Sequence, residues 1–305
     1  MRGVFLEFSP TGLPWANSMT DAARLNEFIR GASRLPVLPK VTIRLLKALD
    51  SPNSSSKGIA VIIEAEPSLT ARILKLANSS FYGQRGLISK VHNAVVVLGL
   101  KTIRSLALTV WTHTLRTQAR STEEANLLSP LLSHGLAAGI GARLLAERVN
   151  LACGEDAFMA GLLHDIGRVA LVAQMGKEYQ RQILDPAIHE GVPLHEKEGA
   201  VLGFDHRALG AALMASWTLP PFLANVVEHH HDLNIVPENQ FFVAAAALAD
   251  HFATCLGYNV ALGMPRSAPV ELAVFFGLPD QAAIDTFQAL CMIKLKLISD
   301  ILEQQ

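Results

Sequence analysis

The sequence predicts an all-α protein, an N-terminal helical bundle packed on a second helical unit. Three observations predict it. Apolar residues recur at helical spacing in block after block, no block alternates with the period of two that a half-buried strand needs, and nothing reads as a βαβ unit. Glycines and prolines fall between the blocks, where helices stop. Half of the 305 residues are apolar, which suffices for a sizeable core.

The elements follow in order. Asp21 to Ile29 carries Leu25, Phe28 and Ile29 on one face, and the two prolines of Leu35-Pro36-Val37-Leu38-Pro39 cannot continue it. Residues 1–30 are therefore read as a lead-in. Val41, Ile43, Leu45, Leu46 and Leu49 form the next stripe, closed by the turn-rich Asp50-Ser51-Pro52-Asn53. A second helix spans Lys57 to Ala65. Pro67 suits a first helical position, and Leu69, Ile73, Leu74, Leu76 and Ala77 follow it, stopped by Asn78-Ser79-Ser80 and Gly83. Ile88, Val91, Val95 and Leu98 make a fourth stripe, Gly99 breaks it, and Thr102 to Leu115 supplies a fifth.

Residues 116–128 are the most polar short stretch between two apolar blocks, which divides the chain into 31–120 and 121–305. Beyond it the helices expected are Pro130 to Val149, Glu155 to Met175, Lys177 to Glu190, His195 to Leu202, His206 to Ser216, Pro221 to Asp232, Glu238 to Leu256, and a pair from Pro269 to Glu303. Gly154, Gly176, Gly191, Pro193, Pro220 and Pro237 mark their ends. Trp111, Trp217, Phe222, Phe241 and Phe242 are read as core, because spacing such as Gly210, Leu213, Met214 and Trp217 is an ordinary buried stripe.

Charge and cysteine content exclude several classes. Lys and Arg number 26 against 27 Asp and Glu, so no global basic excess points to nucleic acid or an acidic membrane surface. Cys153, Cys255 and Cys291 are few, odd in number and far apart, which indicates neither a disulfide framework nor a zinc ribbon. Glu7, Pro10 and Pro14 interrupt the N-terminus where an export signal would be continuously apolar. The most apolar stretch, Val91 to Trp111, contains His92, Asn93, Lys101 and Arg104, so buried helices fit better than a membrane span. A cytoplasmic protein is expected.

Chemistry concentrates in histidines and aspartates. His134 lies among Gly135, Leu136, Ala137 and Ala138, where an imidazole facing a packed interior needs a metal or a carboxylate as partner. His164 and Asp165 are adjacent within Gly161-Leu162-Leu163-His164-Asp165-Ile166-Gly167, and burying both without a cation or a hydrogen-bond network would be costly. Neighbours on a helix diverge by about 100°, so both reach one centre only if it lies close, as a carboxylate bridging two ions allows. His206, the pair His230-His231 and Asp250, set in the apolar run Ala244 to Ala249, supply further inward ligands. Imidazoles and carboxylates without thiolates suit Fe, Mn, Zn or similar ions.

The order His, His-Asp, His, His-His, Asp resembles the HD superfamily of metal-dependent phosphohydrolases. The surrounding sequence is similar, over residues 28 to 290, to the HDOD domain (HD-related output domain). It is carried by Leu35-Pro36-Val37-Leu38-Pro39, Glu66-Pro67-Ser68-Leu69-Thr70, Leu76-Ala77-Asn78-Ser79-Ser80-Phe81-Tyr82, Val97-Leu98-Gly99-Leu100, Gly203-Phe204-Asp205-His206 and Trp217-Thr218-Leu219-Pro220. The resemblance implies an all-helical bacterial signalling output module whose second unit, 121–305, is HD-like. It implies a divalent or di-nuclear metal, Fe or Mn before Zn or Ni, held by His134, His164, Asp165, His206, His230, His231 and Asp250. His229 is an alternative to one member of the pair.

Related HD-GYP phosphodiesterases carry a lysine three residues after the aspartate and a Gly-Tyr-Pro signature after the paired histidines. Here Arg168 stands at the first position, and Asp232-Leu233-Asn234-Ile235-Val236-Pro237 lacks the signature. Two functions are therefore weighed. One is an output module that relays a signal to protein partners and uses the site for structure or for sensing a phosphate or nucleotide. The other is a phosphohydrolase in which His164, Asp165 and Arg168 or Lys177 serve catalysis. The missing lysine and signature favour the module.

Overall fold

The computed structural model describes residues 20–82, 87–149, 152–232, 240–258 and 269–303, and these are helical with no strand among them. Expectations that fall on residues 1–19, on Gly83, on 233–239 and on the start of the helix from Glu238 lie outside the described residues.

The first half runs α1 Asp21–Gly31, α2 Lys40–Asp50, α3 Ser56–Glu64, α4 Pro67–Ala77 and α5 Val91–Thr117. Side chains close the helix starts: Thr20 caps α1 and Ser55 caps α3, each accepting from a backbone N–H three residues on. Asn78 ends α4 and accepts from Ile88 N–H at 2.7 Å, which ties α5's approach to α4. Gly99 adopts φ 81° and ψ 167°, a region essentially closed to residues with a Cβ, and there α5 kinks into the two stripes the sequence distinguishes. This helix is long and apolar enough to cross a membrane, but most of its apolar window is buried against its neighbours.

The second half begins with α6 Thr122–Arg148, α7 Gly154–Leu163 and α8 Ile166–Met175. Two boundaries differ from the sequence expectation. Helix α6 starts at Thr122 rather than Pro130: Ser121 accepts from Glu124 N–H, Glu123 and Glu124 occupy the positive first turn, and Pro130 is carried inside the helix. The break between halves is thus confined to 118–121. Nor is Glu155 to Met175 one helix. It is interrupted at His164-Asp165, where Asp165 has φ −101° and ψ 16°.

The chain continues through α9 Lys177–Tyr179, a π-helical turn Gln180–Leu184 and α10 Asp185–Glu190. Pro186 has no N–H to continue the regular ladder, and Asp185 N–H reaches back five residues to Gln180 O. Then come α11 Leu194–Leu202, α12 His206–Ser216, α13 Pro221–His229, α14 Phe241–Cys255, α15 Val270–Phe275 and α16 Gln281–Glu303.

Helix α6 is the central axis, packed on α7 and α14, and small residues let the backbones approach. A Cβ on Gly161 would stand 2.4 Å from Ala138 O, and one on Gly141 3.2 Å from the Ala249 Cβ. Helices α8 and α12 cross more closely still, at Gly167 and Gly210. The halves are joined by the segment before α2, where Arg34 donates to both Glu124 carboxylate oxygens at 2.7 Å; the same segment is tied to α5 within the first half by the Trp111 indole N–H, which donates to Val37 O at 3.2 Å. Trp111 meets Trp217 edge-on with ring centres 5.0 Å apart, so the aromatics read as core pack on one another. Phe28 of α1 meets Phe204 in the same way, at 5.2 Å, which makes the lead-in helix part of the packed body.

Candidate metal centre

Five elements converge on one buried point. Helix α6 delivers His134, the α7–α8 break delivers His164 and Asp165, the start of α12 delivers His206, the end of α13 delivers His230 and His231, and α14 delivers Asp250. The break explains how adjacent residues serve one centre: His164 caps α7 and Asp165 precedes α8, so the two side chains are freed from the 100° divergence of a continuous helix.

The donor atoms fall into two sets that share Asp165. His134, His164 and Asp165 form one; Asp165, His206, His230 and His231 form the other; within each set the donor atoms lie within 4.8 Å of one another. The Asp165 Oδ1 atom is 3.4 Å from His206 Nε2 and 3.5 Å from His230 Nε2, while Oδ2 is 3.6 Å from His164 Nε2. Asp250 Oδ1 adds a fourth group to the first set, 2.9 Å from His134 Nε2 and 3.7 Å from His164 Nε2. All seven residues singled out in the sequence therefore come together. His229 does not: it is half-exposed and contacts Asp232 through Nδ1 at 3.0 Å.

The outward nitrogen of each ring is held by a second partner, which turns Nε2 inward. His134 Nδ1 lies 2.5 Å from Tyr258 O, His164 Nδ1 2.7 Å from Gly161 O, and His230 Nδ1 2.9 Å from Val227 O. His206 Nδ1 lies 2.5 Å from Glu198 Oε2, and the Tyr179 hydroxyl donates to Glu198 Oε1 at 2.7 Å. Partners of this kind are what a metal-binding imidazole requires of its surroundings. The inward atoms are poorly satisfied: His134 Nε2 has only the Asp250 carboxylate at 2.9 Å, and His164 Nε2, Asp165 Oδ1 and His230 Nε2 are shielded from solvent and make no hydrogen bond among the described residues. Buried polar atoms rarely remain unpaired. A divalent cation fits this donor set.

The charge states agree. Burial opposes ionisation of Asp165 and Asp250, but Arg168 and His164 beside the first, and His134 and His164 beside the second, hold both carboxyls well below the usual range. Burial pushes His230 down to about 4 and His231 well below its ordinary value, so both present neutral nitrogens. Burial also works against charge on His164, yet Asp165 and Asp250 outweigh it and raise that ring to about 9. A proton there occupies the place that a cation would take.

Arg168 is the residue whose role the sequence left open between phosphate and carboxylate. Its guanidinium donates to Asp165 Oδ2 at 2.6 Å, its Nη2 is 3.5 Å from His206 Nε2, and the side chain is buried. Lys177 opens α9 and contributes no contact to this cluster. Sequence reasoning missed Glu198 and Tyr179, both fully buried. The signal was present for Glu198, which stands on the same face of α11 as Leu194, Val201 and Leu202.

The described residues thus form an all-helical module around a buried His/Asp cluster that could hold a metal ion. The chain belongs to the HDOD domain family, whose sequence profile matches residues 35–233. An uncharacterized protein of Treponema pallidum is 25% identical over 204 residues, which are 67% of this chain and 39% of that relative. The chain thus spans about two fifths of that relative's length. Among solved structures, an HDOD domain protein of unknown function from Geobacter sulfurreducens is 26% identical, with a TM-score of 0.72 over 92% of this chain and 96% of its own. A protein from Marinobacter aquaeolei provisionally named for signal transduction has a TM-score of 0.70 at 20% identity, covering 93% of this chain and 66% of its own. One from Shewanella amazonensis, provisionally named a metal-dependent phosphohydrolase, has 0.67 at 20% identity over 93% and 99%. The last two show the fold alone.

Proposed function

We propose that this HDOD protein is a bacterial, cytoplasmic signal-transduction output module that binds protein partners and retains a divalent, Asp165-bridged metal centre. His134, His164, Asp165 and Asp250 would hold one ion, and Asp165, His206, His230 and His231 a second. Fe or Mn suits these ligands first, then Zn or Ni. The observation that carries the reading is the group of buried atoms His164 Nε2, Asp165 Oδ1 and His230 Nε2, which make no hydrogen bond among the described residues and gather within one cluster of imidazoles and carboxylates. Neither a membrane surface nor nucleic acid is needed by it.

The second reading, a phosphohydrolase acting on a nucleotide or another phosphoester, is favoured by the shared carboxylate. An ion bound there would supply Lewis-acid polarisation of a phosphoryl oxygen and acidify a water. His164 and Asp165 would orient it, with Arg168 against the phosphate. What weighs against this reading is Arg168 itself, buried and fixed on Asp165 Oδ2 at 2.6 Å rather than free to meet a substrate.

Metal analysis of protein grown with iron or manganese is expected to find at least one ion per chain. Ion binding at a hundredfold excess over Kd adds about 2.7 kcal/mol to stability, read as a rise in Tm that EDTA reverses and His164→Ala abolishes. Less than one ion per chain, with no change in Tm, would sink both readings. Turnover of phosphomonoesters or cyclic dinucleotides by loaded protein, lost in His164→Ala, would replace the module with the enzyme.

A further inference from the structure

On the side of α6 away from the metal centre, α5, α6 and α16 enclose a crevice of about 40 Å3. That is room for about three water-sized atoms, the scale of a tetrahedral oxyanion's exposed oxygens. Its walls carry Leu132, Leu136 and Leu302, and its polar lining is dominated by hydrogen-bond donors.

Ser129, Ser133 and Ser299 line it and make no side-chain hydrogen bond among the described residues, so their hydroxyls can donate. Thr109 and Thr112 differ, since each already donates to a carbonyl of α5, at 2.8 and 3.0 Å. His113 and Arg116 add a ring and a guanidinium. Arg72 of α4 stands close enough to His113 that burial and the two arginines together push that imidazole down. The Nη1 atom of Arg72 is shielded from solvent with no hydrogen-bond partner. Against two fixed positive charges stands one carboxylate, Glu303, 58% exposed and 3.6 Å from Arg116. Such a site is short of negative charge.

We infer that this crevice is an oxyanion-binding site, taking a phosphate or the phosphoryl end of a nucleotide on Ser129, Ser133, Ser299, His113 and Arg116. Arg116 supplies the charge-assisted contact and Arg72 the supporting field. Because Ser133 and His134 are consecutive, one helix walls both the crevice and the metal centre, yet the anion needs no ion to bind.

The test is calorimetric titration of the full chain with inorganic phosphate, after EDTA treatment so that the metal centre contributes nothing. Saturable binding at one site per chain is expected, weakened at least tenfold in Arg116→Gln and in the double variant Ser133→Ala/Ser299→Ala, and unchanged in His164→Ala. A parallel arm with a nucleoside monophosphate separates the sources: tighter binding than phosphate assigns a nucleotide end, equal or weaker binding assigns the free ion. Circular dichroism establishes that the variants are folded; Arg116, 43% exposed, tolerates exchange. No binding to the wild type, or binding that survives both crevice variants, overturns the assignment whatever the metal analysis shows.

Discussion

At the scale of the residue, the centre is governed by how each imidazole is aimed. Glu198 does this for His206 while being itself fixed by Tyr179 and by the His206 backbone N–H, at 2.9 Å from Oε2. Removing its charge but not its shape, as Glu198→Gln, is expected to lower metal affinity by about 10–100-fold in a competitive chelator titration, with little loss of helix content. An unchanged affinity would show that His206 is not a ligand. The clustered residues were legible because histidine and aspartate stand out in apolar helices. Glu198 was passed over despite its spacing to Leu194, Val201 and Leu202, because a glutamate on a short helix looks like a surface residue until its partner eight residues on is brought against it. The choice among His229, His230 and His231 also had to come from the fold, since three consecutive imidazoles all lie within reach of an end-of-helix turn.

At the scale of the element, close helix crossings fix where the ligands land. A Cβ on Gly167 would stand 1.8 Å from His206 O and 2.7 Å from Gly210 N, so Gly167→Ala must drive α8 from α12. Overpacking typically costs about 1–3 kcal/mol, and contact with backbone places this change at the upper end, measured by urea unfolding. Gly199→Ala is the contrast: nothing lies within 4 Å of its Cβ, and a gain of about 0.4–1 kcal/mol is expected from reduced freedom of the unfolded chain. If both changes destabilise equally, the crossing is not the cause. Most helices were readable from periodicity, and the Gly99 kink from the glycine itself. Two ends were misplaced for local reasons. Pro130 looks like a helix start, but the Ser121 cap and the acidic first turn begin α6 at Thr122, eight residues earlier. The His164-Asp165 break has no proline to announce it.

At the scale of the whole molecule, the segment before α2 fastens the halves. Arg34 grips both oxygens of Glu124, whose side chain is 6% exposed. Glu124→Ala should destabilise by about 3 kcal/mol, because a poorly solvated guanidinium loses its partner. In the wild type, near-ultraviolet and far-ultraviolet circular dichroism should report one coincident transition. Two separated transitions would mean that 31–120 and 121–305 unfold independently. The all-helical class was evident from the sequence; the clasp was not, since Arg34 and Glu124 are 90 residues apart.

The chain of contacts from His206 through Glu198 ends at Tyr179, the residue just before the π-helical turn Gln180–Leu184. By thermodynamic reciprocity, if restraining that turn changes the centre's affinity, filling the centre changes the turn's affinity for its restraint by the same factor. Slowed amide exchange at 180–184 when Mn is added, and not in Glu198→Gln, would register that coupling. A turn with five-residue hydrogen bonds would then be the messenger by which an interior ion is read from outside.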